Sequence, residues 1–393
     1  MWSTVPTRRL FRVINGGTPT ADAENWDGEV QWATPVDLAK SNGLHINTTK
    51  RSISRIGLAK GSGAVPRGSL IISTRAPIGY VSETVSETAF NQGCRGLIPT
   101  TEVDIRFYRY QYFALSQLLA ARGLGSTFME LSTENLAAFD VSAPPLAAQR
   151  IIADFLDAET ARIDTLVAKK IKLVNLVEEK IECRIRQRMA DSGLAGTKGG
   201  GAVTTIRQVL AKLDRPASLV SETVTAFRDG QVTARSRRRL DGYTESWTES
   251  SRLQGVHEGD VVVHGLDGFA GAIGTSEADG VCSPVYHVCT PKKGGDPVYL
   301  GRMLHVLATD GYLGLFSSST RERAVDFRNW DLFGRIPVPQ VPLPEQRIIA
   351  EMIKNLSPLK DAVARSADLA RERKQALIAA VVSGEMNVPG VSR

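Results

Sequence analysis

The side chains able to do chemistry are few, and their spacing decides what that chemistry could be. Cys282, His287 and Cys289 fall within "CSPVYHVC" and could offer two thiolates and an imidazole to a metal. A zinc site usually pairs ligands two to four residues apart and adds a second pair further on. No second pair follows, so no metal site is expected and the segment reads as a strand with side chains turned alternately in and out. His257 and His264 are solitary, and the carboxylates are dispersed without an acid–base pair. The GxxxxGK[ST] phosphate loop, HExxH and the GxSxG elbow are all missing, as is a GxGxxG with a suitably placed acid. The [ND]PP[YF] segment with which amino-methyltransferases hold a flipped base is missing too; the sole PP pair is Pro144-Pro145. No catalytic residue is therefore assigned. The residues describe a chain that binds and positions.

Charge indicates what it could bind. Lys and Arg number 48 against 42 Asp and Glu, a net charge of +6 with a pI of about 9.1. That mild excess admits an anionic partner and equally serves solubility. The four cysteines contain no CxxC pair, which points to a reducing compartment. "MWSTVPTRRLFRV" lacks the apolar run of a signal peptide, and nothing approaches the ~18–20 apolar residues of a membrane span. A cytoplasmic protein without membrane contact is expected.

The elements that would position any site come in two rounds. Residues 1–143 are rich in Gly, Pro and Thr, with short β-type runs such as "GSLIISTRAPIGYVS" and "CRGLIP", and a helix is predicted near 105–123. From Leu146 to Met189 proline and glycine vanish and apolar residues recur at helical spacing; residues 158–190 alone would make a helix of about 50 Å. A glycine-rich linker follows at 193–202. The first texture returns over 203–341, where "GDVVVHGLDGFAGAIGTS" occupies the place of "GSLIISTRAPIGYVS". Helical texture then returns with Ile349, Leu356, Val363, Ala370 and Leu377 seven residues apart. Ser357 and Pro358 suggest an N-cap and first turn, so a short helix is expected before a long one. "PLAAQRIIA" at 145–153 and "PLPEQRIIA" at 342–350 share seven of nine residues, the mark of a tandem duplication. The boundaries are read as 1–145 for a first domain, 146–192 for a first helix, 203–341 for a second domain and 342–386 for a second helix. The fold class expected is α+β, with two mixed domains separated by two long helices packed as an antiparallel coiled coil. Antiparallel packing would set the domains at opposite ends of a rod. Leu166, Leu173, Ile349, Leu356, Val363 and Leu377 are the expected packing residues.

Several segments in this order form a known pattern. "NGGTPTADAENWDGEVQWATPVDLAKSNG" supplies Gly16, Gly17, Thr18, Pro19, Trp26, Gly28, Trp32 and Asp37-Leu38. "TTKRSISRIGLAKGSGAVPRGSLIISTRAPIGYVS", "FNQGCRGLIP" and "GSTFMELSTENLAAFDVSAPPLAAQRIIADFLDAETARID" follow, and "RKQALIAAVVSGEMNV" closes the chain. This set resembles the specificity subunit of Type I restriction–modification systems along nearly the whole length. The second half lacks the Gly-Gly-Thr-Pro opening and the Asn-Gln-Gly segment, as expected of a domain reading a different DNA sequence.

The resemblance implies a non-catalytic subunit for phage defence. Each globular domain would read half of a split target in double-stranded DNA. The helices would hold the domains apart and dock two methyltransferase subunits, which carry S-adenosylmethionine and flip the adenine. Motor-nuclease restriction subunits would supply ATP hydrolysis with Mg; this chain itself would hold no cofactor. A rod of about 50 Å spans two half-sites roughly one DNA turn apart. Arg, Asn and Gln make bidentate base contacts, whereas Lys, Ser and Thr more often hold phosphates. The candidates in the first domain are Lys50, Arg51, Thr74, Arg75, Asn91, Gln92 and Arg95. In the second they are Arg235, Arg237, Arg238 and Arg239 of "ARSRRRL", with Arg321 and Arg323 of "SSSTRER". A protein-interaction scaffold with a coiled-coil core is the competing reading, and a zinc enzyme on Cys282, His287 and Cys289 the third.

Overall fold

The computed structural model describes the 393-residue chain except for residues 1, 42–43, 76, 124–129, 197, 218–221, 239–252, 317–325 and 392–393. The chain divides into two units, Met1–Ala168 with Arg365–Arg393 and Lys169–Ala364.

In the first unit the apolar run Leu70–Ser73 is a central strand buried on both faces. Alternation explains its composition. Leu70 and Ile72 join a core with Phe107, Tyr108 and Tyr112 of the helix Ile105–Ala114, and Ile71 points the other way to Leu38, Val65 and Phe90. The strand pairs antiparallel with Cys94–Pro99 and Val81–Thr84, and Phe11–Asn15 adds beyond Cys94–Pro99. A smaller four-stranded sheet is built on Trp26–Ala33, flanked by Arg51–Ile53 and Thr88–Phe90. The expected helix over 105–123 is present as Ile105–Ala114 and Ser116–Ala121.

The second unit repeats the central layout. Val261–His264 lies between Tyr286–Pro291 and Ile273–Thr275. Val261 and Val263 meet Tyr299, Met303 and Leu304 of the helix Pro297–Thr309, while Val262 faces Val224, Val256 and Val288. Here the outer part is two separate two-stranded pairs, Val224–Ala226 with Val232–Ala234 and Gln254–Val256 with Gly280–Cys282.

The long helices are Leu146–Asp191 and Leu343–Val382. Within the first unit Asp164 pairs with Lys374 at 2.7 Å, and Ile152 and Leu156 share a core with Ile378, Val381 and Val382. Within the second, Glu178 pairs with Lys360 at 2.8 Å and Arg188 with Glu345 at 2.7 Å. In each unit numbers rise on one helix as they fall on the other, so the pairing is antiparallel.

Two expectations need correction. Ser357 and Pro358 do not start a helix: Pro358 lies inside one continuous helix. Its missing N–H forfeits one backbone bond, but Leu356, Leu359 and Val363 on either side pack on the second unit's core and carry the helix through. Leu166 and Leu173 are exposed by 53% and 56%. The buried line runs through Ile152, Leu156 and Thr160 in the first unit and Val174, Ile181, Ile185 and Met189 in the second. Leu173 stands about 100° around the helix from Val174, off that line. Ile349 and Leu356 are buried, and Val363 and Leu377 pack against the cores of their units.

The repeated phrase has a structural task. Gln149 accepts from the Asp104 backbone N–H at 2.9 Å and donates to the Pro144 carbonyl at 2.8 Å. Gln346 does the same with Asp296 N–H (3.0 Å) and the Val341 carbonyl (2.7 Å). Asp104 and Asp296 are the N-caps of the two domain helices, so each glutamine clamps the start of a long helix to the start of a domain helix. Gln149 is buried. Gln149→Ala therefore strands one donor and one acceptor and is expected to cost about 1–3 kcal/mol. A lower denaturant midpoint with unchanged slope would show it; an unchanged midpoint would refute the clamp.

Candidate nucleic-acid interface

In the first unit the Gly-Gly turn is a point of close backbone approach. A Cβ on Gly16 would lie 2.1 Å from the Asn91 carbonyl oxygen, and one on Gly17 1.9 Å from that of Gly61. Only glycine fits there, and the turn thereby fixes the segment that begins at Asn91.

Asp37 sets a second loop. It completes a capping box with Thr34, and its other oxygen accepts from the Lys50 N–H at 3.0 Å. Gln31 accepts from the Thr49 N–H at 2.8 Å. Lys50 and Arg51 are thus presented, exposed, on a braced loop. The Arg51 guanidinium lies 3.4 Å from the centre of the Trp26 ring, and Trp26 meets Trp32 edge to face. Stacking holds the arginine extended while leaving its N–H edges available.

A third cluster forms where three segments meet. The Thr74 N–H donates to the Gly93 carbonyl, and the Leu131 N–H to the Thr74 carbonyl. Arg95 donates to the Gln92 carbonyl (2.9 Å), the Thr133 hydroxyl (2.9 Å) and Glu130 (3.0 Å). The other Glu130 oxygen is 3.0 Å from Arg75. Burial opposes ionisation of Glu130, but Arg75 and Arg95 together hold its carboxyl below the ordinary carboxylate range.

The predicted residues therefore divide. Arg75, Gln92, Lys50 and Arg51 are exposed. Thr74 and Arg95 are buried, a correction to their expected role: their hydrogen-bonding groups are spent on the protein itself. Asn91 accepts from the Gly93 N–H and braces the turn. Glu130 was not anticipated, because 55 residues separate it from Arg75 and a lone glutamate carries no signal.

In the second unit Arg237 and Arg238 are exposed and Arg235 is half-buried, donating to Thr225. Arg238 pairs with Asp229 at 2.9 Å and covers the Phe227 ring at 4.3 Å. Arg239, Arg321 and Arg323 lie outside the described residues. Arg328, not singled out from sequence, is exposed and gripped by Asp326 through two nitrogens at 2.6–3.0 Å.

Cys282 and Cys289 sit on different sheets, and burial pushes both thiols up to about 12. His287 takes the strand position corresponding to Arg95. Its Nε2 lies 2.6 Å from the Phe327 carbonyl, which can only accept, so Nε2 carries the proton; burial depresses its pKa. Among the described residues no three His, Cys, Asp or Glu side chains are grouped to hold a metal, and no helix is long and apolar enough to cross a membrane.

Comparison with known proteins agrees with this layout. Residues 1–176 match the family described as Type I restriction modification DNA specificity domain. A stretch of 182 residues is 30% identical to the Type I restriction enzyme MjaIX specificity subunit of Methanocaldococcus jannaschii. That match covers 45% of this chain and 41% of the relative's length, so the chain spans under half of that curated relative. A chain from a structure of a Type I R-M system, concerned with complex assembly and conformational transition, is 14% identical, with a TM-score of 0.67 and 98% of each chain covered. The HsdS subunit from Thermoanaerobacter tengcongensis is also 14% identical, with a TM-score of 0.55 over 98% of this chain and 97% of its own. Residues 1–176 thus match the Type I restriction modification DNA specificity domain family, and the chain shares the fold of these two solved structures along almost its whole length.

Proposed function

We propose that this chain is the non-catalytic specificity subunit of a Type I restriction–modification complex working in the cytoplasm. Each unit contributes one DNA-reading domain, and together they recognise a bipartite target in double-stranded DNA. The observation that carries the reading is the doubled junction: Gln149 and Gln346 clamp a domain helix to a long helix with the same two hydrogen bonds. A second half so different in sequence at its outer sheet, yet built on the same junction, is what a reader of a different half-site requires. The exposed basic residues of each unit suit phosphate and base contacts.

The long helices would set the spacing and dock two methyltransferase subunits. Leu173 and Leu176, half exposed on the second unit's helix segment, support docking there. S-adenosylmethionine would be bound by those subunits, and ATP and Mg by restriction subunits; this chain's residues select the site at which they act.

The test is selection from random-sequence DNA by the chain assembled with its methyltransferase subunits. A two-part sequence should be enriched, with affinity at least about 10³-fold above non-specific DNA and falling steeply with salt. Salt-sensitive binding without sequence enrichment would defeat the proposal, and the chain would then be a scaffold with a merely basic surface.

A further inference from the structure

We propose that Arg75 in the first unit and Arg328 in the second each read a guanine, and that Glu130 and Asp326 are the positioning residues that hold them. This rests on the reading of the chain as a DNA-specificity subunit and adds which residues read and which base they choose.

The two pairs occupy the same place in the fold. In the first unit the residue after the central strand, Thr74, receives its neighbour through Leu131 N–H to Thr74 O. In the second, Phe327 N–H bonds Gly265 O, and the Gly265 N–H bonds Val285 O as the Thr74 N–H bonds Gly93 O. Leu131 therefore corresponds to Phe327, and the residue before each is the carboxylate: Glu130 in one unit, Asp326 in the other. Each carboxylate holds an arginine whose side chain is half exposed, 48% for Arg75 and 58% for Arg328.

The arginines come from different places. Arg75 follows the strand end, whereas Arg328 lies two residues after its own carboxylate, its stem laid against Gly265, where a Cβ would meet it at 2.9 Å. The carboxylate site is common to both units and the arginine is not. That is the arrangement expected of two domains that use one device to address different sequences.

Stability does not account for these pairs, since exposed ion pairs contribute little. Phosphate attraction does not either, because a carboxylate beside the arginine weakens it. What a carboxylate does supply is a fixed direction for the guanidinium. An arginine so held presents its remaining N–H groups as a planar fork, the partner of guanine O6 and N7 in the major groove. In the first unit the carboxylate is itself anchored by buried Arg95.

Random-site selection followed by binding to single-base-pair variants tests the assignment, using the chain assembled with its methyltransferase subunits. Arg75→Ala should reduce discrimination at one G·C pair of one half-site by about tenfold or more, leaving the other half-site unchanged. Glu130→Gln, nearly isosteric, should lose part of the discrimination at that same pair. Arg328→Ala and Asp326→Asn should act likewise, and only on the other half-site. Equal weakening on all sequences, with a salt slope reduced by about one, would make the arginines phosphate contacts and overturn the proposal. Loss of thermal stability in Glu130→Gln with unaltered base preferences would overturn it as well. A wild-type complex that selects no sequence would remove the specificity reading itself; selective wild type with unaltered variants would remove only the arginine assignment.

Discussion

Asp157→Ala should destabilise the first unit by about 3 kcal/mol, one of the two largest effects expected of a single substitution here. Arg109, on the domain helix, is 1% exposed, and its firmest partner is Asp157 of the long helix at 3.0 Å. Glu83 also pairs with Arg109, at the longer distance of 3.5 Å, and His45 stands at 3.4 Å, so Asp157 is the closest of its charged partners rather than the sole one. The same carboxylate accepts from Tyr110 at 2.6 Å and pairs with Arg106 at 3.0 Å. Removing it leaves a buried guanidinium without its main counter-charge, and desolvation of that cation is the source of the cost. Because Asp157 itself is 36% exposed, water reaches part of the site and the loss falls at the low end of the range for buried pairs. Arg109→Met in the Asp157→Ala background should recover stability, since an apolar pair needs no compensation. Chemical denaturation of the two variants beside the unaltered chain tests this; a double variant less stable than Asp157→Ala would contradict it. In the second unit Arg302 reaches Glu178 and Glu182 of the long helix at 2.9 and 2.8 Å. In each unit a domain helix is thus fastened to a long helix by an arginine, and under the proposed function that fastening would fix the direction in which the domain meets DNA.

Much of the architecture was legible in the sequence for reasons now visible. "LIIS" and "VVVH" read as strands because both faces are buried, which demands an unbroken apolar run. The repeated phrase stood out because each glutamine serves two backbone partners at once, accepting from one and donating to the other. The Gly-Gly turn was recognisable because backbone crowding forbids any side chain. What was not legible is the partnership of distant residues. Arg95 looked like a base-reading arginine and is instead a buried brace; composition cannot distinguish an arginine facing DNA from one facing Glu130. Arg328 was overlooked because its meaning comes from Asp326 and from the strand end at Gly265. Pro358 was read as a helix start since local preference favours it there, but packing on both sides outweighed one lost hydrogen bond. The leucines at 166 and 173 matched a heptad by spacing alone, and the helix turned a neighbouring line of residues inward.

That last difference yields a sharp contrast between two substitutions on the long helices of the second unit. Ile349→Ala should cost about 2–5 kcal/mol, because Ile349 is fully buried in a core with Ile181, Ile185 and Met303 and alanine leaves a cavity there. Leu173→Ala should change stability by no more than about 0.5 kcal/mol: its side chain is already half in water, and alanine is the better helix former. If the exposed leucines dock a methyltransferase subunit, Leu173→Ala will weaken assembly of the complex while leaving the unfolding midpoint of the free chain in place. Ile349→Ala will do the reverse, lowering the midpoint and affecting assembly only in proportion to the folded fraction. Equal destabilisation by both variants would mean that Leu173 is buried in the folded chain. A Leu173→Ala chain that assembles with wild-type affinity would move the docking surface away from this face of the helix.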